Sequence, residues 1–262
     1  MSIYHPPQQA CAAVEDASSR SAAVEASADA AISTQPFEAA HRSWAAWITF
    51  LLVAVVGLTL DLWTKHWAFH SLRQGGREVI VPNVLEFQTM LNRGALFGIG
   101  GGMTTVFLVA SVFALGLVAW MFVQSSARRW TLHVALGAIL AGALGNMYDR
   151  SFVRLVDRPF RSAKGPIWMC VTGNEGGLVL LSEYPPHAGA LAARERPDRL
   201  PGEVGFVRDF IKIPTRWFGD REIWPWVFNV ADMLLVGGVS ILAIHLLFDR
   251  GRHPNGAPAP GP

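Results

Sequence analysis

A membrane-embedded all-α core of four transmembrane helices with a small extracytoplasmic β-sheet is the fold class that this 262-residue chain predicts, on three observations. Half of the residues (51%) are hydrophobic and the mean hydropathy is +0.29. Only 16% are charged, against about 25% in an ordinary soluble domain. The charges are also segregated: Ser43–Leu60, Gly94–Ala127 and Trp130–Tyr148 contain no Asp, Glu, Lys or Arg, and Ile223–Phe248 contains only Asp232. As a helix, Ser43–Leu60 reaches about 27 Å, close to the roughly 30 Å of bilayer hydrocarbon. Spans are placed at about 44–63, 103–124, 130–148 and 227–248, inside a membrane domain over 43–250.

Residues 1–42 precede the first span. Their Ala- and Ser-rich sequence sets Glu15, Asp16, Glu25, Asp29 and Glu38 against a lone Arg20 and has no sustained apolar period, which predicts a disordered acidic tail. It lacks the basic start and apolar stretch of a secretory signal. Four spans put both termini on one side, with Arg42, Arg128, Arg129, Arg250 and Arg252 near that face, which the positive-inside rule favours as the cytoplasmic one, against Lys65, Arg73, Arg77 and Arg93 in the first outer loop. The loops 61–93 and 150–222 then lie outside, and the proline-rich 251–262 forms a flexible cytoplasmic end. Cys11 and Cys170 fall on opposite sides, which excludes an internal disulfide, and they fit no metal-ligand spacing. A net charge of +2 gives no electrostatic case for nucleic acid.

The outer loops alternate as strands do. Leu85, Phe87, Thr89 and Leu91 share one parity, with Glu86 and Gln88 on the other. Val207, Asp209, Ile211 and Ile213 share a face opposite Arg208, Phe210 and Lys212, while 167–172 and 178–184 flank Gly173–Gly177 as a hairpin.

Ionisable groups at membrane depth are costly and mark function by default. Asp61, Asp149, Asp209 and Asp232 all fall toward the outer face. Asp232 sits one to two turns into the fourth span, with Asn229 three residues earlier on the same helical face. Asp209 shares its strand face with apolar residues. Desolvation raises the pKa of such carboxylates, and two that approach closely cannot both ionise. One then acts as base toward water while the other donates to a carbonyl. The competing reading of Asp209 is an outward charge after a one-residue register slip, and of Asp232 a polar residue at a span end. Gly142, Gly145, Asn146 and Asp149 form a stripe at three- and four-residue spacing that lets a neighbouring helix approach, with Arg150 four residues after Asn146. Asp61 and Lys65, spaced i, i+4, read as a helix-end ion pair. Asn92 before Gly94 is compatible with simple turn chemistry. No residue pattern calls for a metal or an organic cofactor. A proton-coupled carrier is the alternative class, although it asks for mid-membrane carboxylates and internal repeats; an inactive scaffold of the same fold is another.

The chain resembles lipoprotein signal peptidase, or signal peptidase II, a family of bacterial membrane aspartic proteases. The resemblance is carried by Asp61-Leu-Trp-Thr-Lys65, Asn92-Arg-Gly94-Ala-Leu-Phe97, Gly142-Ala-Leu-Gly-Asn146-Met-Tyr-Asp149-Arg150, Val207-Arg-Asp209-Phe-Ile211 and Phe228-Asn229-Val-Ala-Asp232, in family order. It implies a β-cradle on four spans, Asp209 and Asp232 as catalytic dyad, and a site toward the extracytoplasmic face of the bacterial inner membrane. Asn92, Gly94, Asn146, Arg150 and Asn229 match substrate-binding or supporting positions, and Asp61, Lys65 and Asp149 match supporting ones. The implied reaction removes the signal peptide from diacylglyceryl-modified prolipoproteins, before the lipidated Cys, without metal or cofactor; the partners are that substrate and membrane lipid. Leu96 and Arg208 depart from the family pattern at a small residue and a valine. A larger departure is an extracytoplasmic insertion at about 151–206.

Overall fold

The computed structural model describes residues 38–93, 104–163, 165–215 and 224–249. Residues 1–37 of the acidic tail, Gly94 with the rest of its motif through Phe97, and the proline-rich end lie outside the described residues. The last part of the predicted tail is ordered, since Ala40–Arg42 forms a 3-10 turn with Ala40 buried and its N–H donating to the Ser125 carbonyl at 2.9 Å. Four long helices dominate: α1 Trp44–Leu72, α2 Thr104–Gln124, α3 Trp130–Phe152 and α4 Val230–Asp249. Among the described residues three are long and apolar enough to cross a membrane, at Trp44–Leu72, Trp130–Phe152 and Val230–Phe248, and α2 contributes the shorter apolar stretch Val109–Gln124.

These helices are packed inside out relative to a soluble bundle. On α1 the buried positions are Ala46, Phe50, Ala54, Gly57, Asp61, Lys65 and Ala68, a stripe at three- and four-residue spacing. Trp44, Ile48, Leu52, Val55 and Trp63 on its other faces are exposed. Lipid is as apolar as leucine, so apolar area alone does not drive such helices together; small residues at close contacts and polar groups between helices do. α3 is the central helix, packed against the other three and buried along most of its length. The predicted small-residue stripe works here. A side chain at Gly142 would meet the Ala231 carbonyl and Leu235 of α4, and one at Gly145 would meet the Asp61 carboxylate. At the end of the bundle holding Ser43 and Trp130, Phe50 stacks on Phe122 with ring centroids 4.6 Å apart. His133 is buried there, with Nε2 3.0 Å from Ser125 Oγ.

At the other end lies an antiparallel sheet of β1 Arg77–Val81, β2 Leu85–Asn92, β10 Val207–Lys212 and β11 Val227–Phe228, in the order β1-β2-β10-β11. The segment between α3 and β10 forms three small sheets: β3 Arg154–Val156 with β9 Glu203–Gly205, β4 Phe160–Ser162 with β5 Gly165–Ile167, and β6 Met169–Glu175, β7 Leu178–Glu183 and β8 Ala192–Glu195 in that order. Val156, Ile167, Met169 and Leu181 form its own buried cluster. The Gln74 side chain, just beyond α1, binds it: Nε2 donates to the carbonyls of Trp168 and Tyr184 at 2.9 Å each, and Oε1 accepts from Trp168 N–H at 2.6 Å.

Several expectations are corrected. α1 continues to Leu72, so Asp61 and Lys65 lie inside the helix and are fully buried, not at its end. α4 begins at Val230 because Val227–Phe228 pairs with β10. The hairpin strands run on to Glu175 and resume at Leu178, leaving only Gly176 and Gly177 in the turn; their φ of 57° and 79° suits a two-residue type I′ connection. Simple alternation fails in β2 and β10. In β2 the buried residues are Glu86, Thr89 and Asn92, and in β10 Val207 through Phe210 are all buried. The pairing of these strands shifts between Asp209 and Ile211, and both faces of β10 are covered.

The close approach of α3 and α4 gives a test. Gly142→Val should destabilise the protein by about 1–3 kcal/mol through overpacking against Ala231 and Leu235, read as a lower unfolding midpoint in detergent. The same change at Gly116, which has open space around it, should leave the midpoint nearly unchanged.

Candidate active site

The site forms where β11 becomes α4. Asn229 stands before the first helical residue, and its Oδ1 accepts from Asp232 N–H at 3.0 Å. The Asp232 carboxylate returns the bond, Oδ2 accepting from Asn229 N–H at 3.3 Å. This reciprocal pair is a capping box with aspartate at its third position, so Asp232 lies in the first turn of α4, shallower than its predicted depth. Asn229 Nδ2 donates to Asp209 Oδ1 at 2.6 Å and to Asn146 Oδ1 at 3.3 Å. One amide therefore spans the two aspartates. Its orientation is fixed, since oxygen and nitrogen have different partners.

Each carboxylate has a further amide. Asn92, at the end of β2, donates Nδ2–H to Asp209 Oδ2 at 2.9 Å, and Asn146 on α3 donates Nδ2–H to Asp232 Oδ1 at 2.8 Å. The turn reading of Asn92 gives way: its side chain is buried and aimed at the carboxylate. Asp209 is 1% exposed, so the slipped register with an outward charge is excluded. Its environment is less apolar than its strand face implies, because amides from β2 and from the start of α4 close over it. Burial, followed by the neighbouring Asp232 charge, pushes the Asp209 pKa up to about 8 against the opposing bonds from Asn92 and Asn229.

Behind the pair is a buried ion cluster. Lys65 Nζ lies 2.8 Å from Asp61 Oδ2 and 3.4 Å from Asp149 Oδ2, and it donates to Asn146 Oδ1 at 3.1 Å. Asp61 Oδ1 accepts from Ala231 N–H of α4 at 2.7 Å. Arg150 Nη1 reaches the Asn146 carbonyl at 3.4 Å, and the guanidinium feels Asp232, Asp209 and Asp149 in that order. Asp61, Lys65, Asn92, Asn146, Asp149, Arg150, Asp209, Asn229 and Asp232 are thus brought to one place; Gly94 lies outside the described residues.

Arg208 completes the cluster, where strand alternation predicts it facing away from Asp209 as a mere departure. Its Nε and Nη2 donate to Asp149 Oδ1 at 3.1 and 2.6 Å, and its backbone N–H donates to Asp149 Oδ2 at 2.9 Å. The available signal is an arginine inside the run Phe206–Ile211, where a charge is costly unless paired. Beside Asp232 opens an apolar cavity of about 400 Å³, lined by Ile213, Trp224, Phe228, Met233, Val236 and Gly237.

Fold and site define the class first: a protein of membrane-length helices with buried aspartates gathered by amides at one end of the bundle. The family model described as signal peptidase (SPase) II matches residues 53–248. The chain is 39% identical over 212 residues to the lipoprotein signal peptidase of Rhodopirellula baltica, covering 79% of this chain and 74% of that protein. It is 33% identical over 106 residues to the lipoprotein signal peptidase of Clostridium novyi, covering 40% of this chain and 72% of that one. A bacterial membrane enzyme solved by the in meso method at 2.3 Å shares the fold, with a TM-score of 0.54 and 24% identity over 80% of this chain and 94% of that one. The chain belongs to the signal peptidase II family.

Two stability measurements test the site. Lys65→Met leaves Asp61 and Asp149 short of a buried cation and should cost about 3–5 kcal/mol, read as lost accumulation or a lower midpoint in detergent. Asp209 has a raised folded-state pKa, so its ionisation opposes folding: its contribution is favourable below the ordinary carboxyl pKa and is lost as pH rises toward about 8. Asp209→Asn should therefore raise the unfolding midpoint relative to wild type by roughly 2–4 °C at pH 8 and by less at pH 4.

Proposed function

We propose that this protein is a multi-pass aspartic endopeptidase of the bacterial inner membrane that removes the signal peptide from diacylglyceryl-modified prolipoproteins, cleaving before the lipidated Cys. Asp209 and Asp232 are its catalytic pair. The observation that carries this reading is the single Asn229 amide bonded to both carboxyl-bearing residues at one end of the helices. In this reading all four helices span the bilayer, both termini are cytoplasmic, and the sheet β1-β2-β10-β11 is a cradle on the extracytoplasmic face.

The chemistry follows from two carboxyls sharing one proton. The ionised member takes a proton from water as that water attacks the scissile carbonyl, and the protonated member donates to the carbonyl oxygen. The pair then returns its proton to the leaving amine. Asn92 and Asn146 each donate to one oxygen of one aspartate, which holds both carboxyls while adding no charge to them. Arg150 offsets the single negative charge of the pair. The lipid chains stay in the bilayer, and the apolar cavity beside Asp232 suits an apolar part of the precursor next to the cleaved bond.

Cleavage of a lipid-modified precursor by the purified full-length protein tests this. Asp209→Asn and Asp232→Asn should each lower kcat/KM by about 10²–10⁴-fold while the protein still accumulates in membranes. Near-normal turnover in either would reject the pair. Wild-type activity should also fall as pH rises past about 8, where the second carboxyl loses the shared proton.

A further inference from the structure

Arg208 is 7% exposed, in the strand position immediately before Asp209. It carries a full charge into the protein and meets a partner matched to it: Asp149 accepts from its Nε, its Nη2 and its own backbone N–H. The backbone contact matters for position, because the peptide that bonds Asp149 is one residue from the Asp209 backbone. Side chain and main chain together clamp β10 onto α3 at that point.

The charge matters for balance. Around Arg208 stand Asp61, Lys65 and His66 of α1, Asp149 and Arg150 of α3, Asp209 of β10, and Tyr184, which hydrogen-bonds its side chain from the segment before β10, with Cys170 near that tyrosine. Asp232 of α4 faces the same group of charges through Asn146 and Arg150. Two carboxylates, Asp61 and Asp149, sit deep beside Asn146, and Lys65 reaches both. With a neutral residue at 208, Asp61 and Asp149 would share Lys65, with Arg150 acting on Asp149 only after Asp232 and Asp209. With Arg208 present each carboxylate has a cation, and one Lys65 proton remains for Asn146, whose amide holds Asp232.

Resting on the aspartate-pair reading above, we propose that Arg208 is a positioning residue for Asp209 and Asp232, clamping β10 through Asp149 and supplying the positive charge that balances this carboxylate so that Lys65 can orient Asn146. Arg208 touches no reacting atom; it acts through Asp149, Lys65 and Asn146. Removing its charge makes negative charge nearby less favourable, so both ionisations of the pair move to higher pH.

The pH dependence of kcat/KM on a lipid-modified precursor, measured with full-length wild type, Arg208→Val and Arg208→Lys in detergent, tests this. Both limbs of the Arg208→Val profile should move upward by about 0.5–1 pH unit, less than a directly contacting charge would give because Asp149 screens it. Arg208→Lys keeps the charge and loses the forked clamp, so its limbs should stay at the wild-type pH while kcat falls. If Arg208→Val does not accumulate, Arg208→Gln reads the same shift with a hydrogen-bond donor retained. Limb midpoints unchanged in the neutral variant would overturn the proposal, since a purely structural arginine lowers activity equally at every pH. Asp209→Asn in parallel separates the two readings: an active Asp209→Asn removes the aspartate pair itself, whereas an inactive one beside unshifted Arg208 profiles removes only the role of Arg208.

Discussion

A fully buried ammonium, that of Lys65, sets the geometry on which the rest of the site depends. An unpaired charge at this depth is too costly to keep, so each of its three protons needs an acceptor. Asp61 on its own helix supplies one, and Asp149 and Asn146 on α3 supply the others. That requirement fixes the register of α1 against α3. Asp61 carries it to α4 through the Ala231 N–H, and Asn146 carries it to Asp232. Such a cluster adds little net stability over an apolar one of the same shape, but it leaves one arrangement of the three helices satisfied and the slipped ones not. In lipid, where apolar burial does not choose between helix registers, that selectivity carries more weight than in water.

The aspartates themselves are held by amides while the cations stand one step behind. The difference has a chemical consequence. A lysine or arginine bonded directly to each carboxyl would pull both toward the ionised form. Asn92, Asn146 and Asn229 donate hydrogen bonds without adding charge. Burial and mutual repulsion then dominate at Asp209 and keep a proton within reach at neutral pH. Lys65 and Arg208 lie instead against Asp61 and Asp149.

Much of this was legible in the sequence because charge is so scarce in it. Runs without Asp, Glu, Lys or Arg located the long helices, and the four aspartates Asp61, Asp149, Asp209 and Asp232 were among the residues brought together. The stripe Gly142, Gly145, Asn146, Asp149 also read correctly, since helical spacing alone puts those positions on one face. What escaped depends on contacts between distant segments. Asp61 and Lys65 look like an exposed i, i+4 pair until α3 covers them. Arg208 looks outward-facing by parity, because period-two reasoning assumes one covered face and β10 has two. Gln74 has no pattern at all; its role exists only once Trp168 and Tyr184 are folded back beside it.

The segment between α3 and β10 is long, yet its two ends meet beside the site. It leaves α3 at Val153 and returns at Phe206, and these two residues are joined directly, Phe206 N–H donating to the Val153 carbonyl at 3.0 Å. β3 and β9 extend the clasp outward, pairing Arg154 with Gly205 and Val156 with Glu203. The chain therefore re-enters β10 from the point where it left α3, as a short connection would. The entropy of closing a loop grows only slowly with its length, and the sheets inside this one have their own apolar cluster. Arg93 pairs with Asp157 and lies over the Trp168 and Phe206 rings at 5.7 and 5.9 Å, tying the same segment to the end of β2 one residue beyond Asn92. The two strands that present Asn92 and Asp209 are thus braced at a shared edge by this segment.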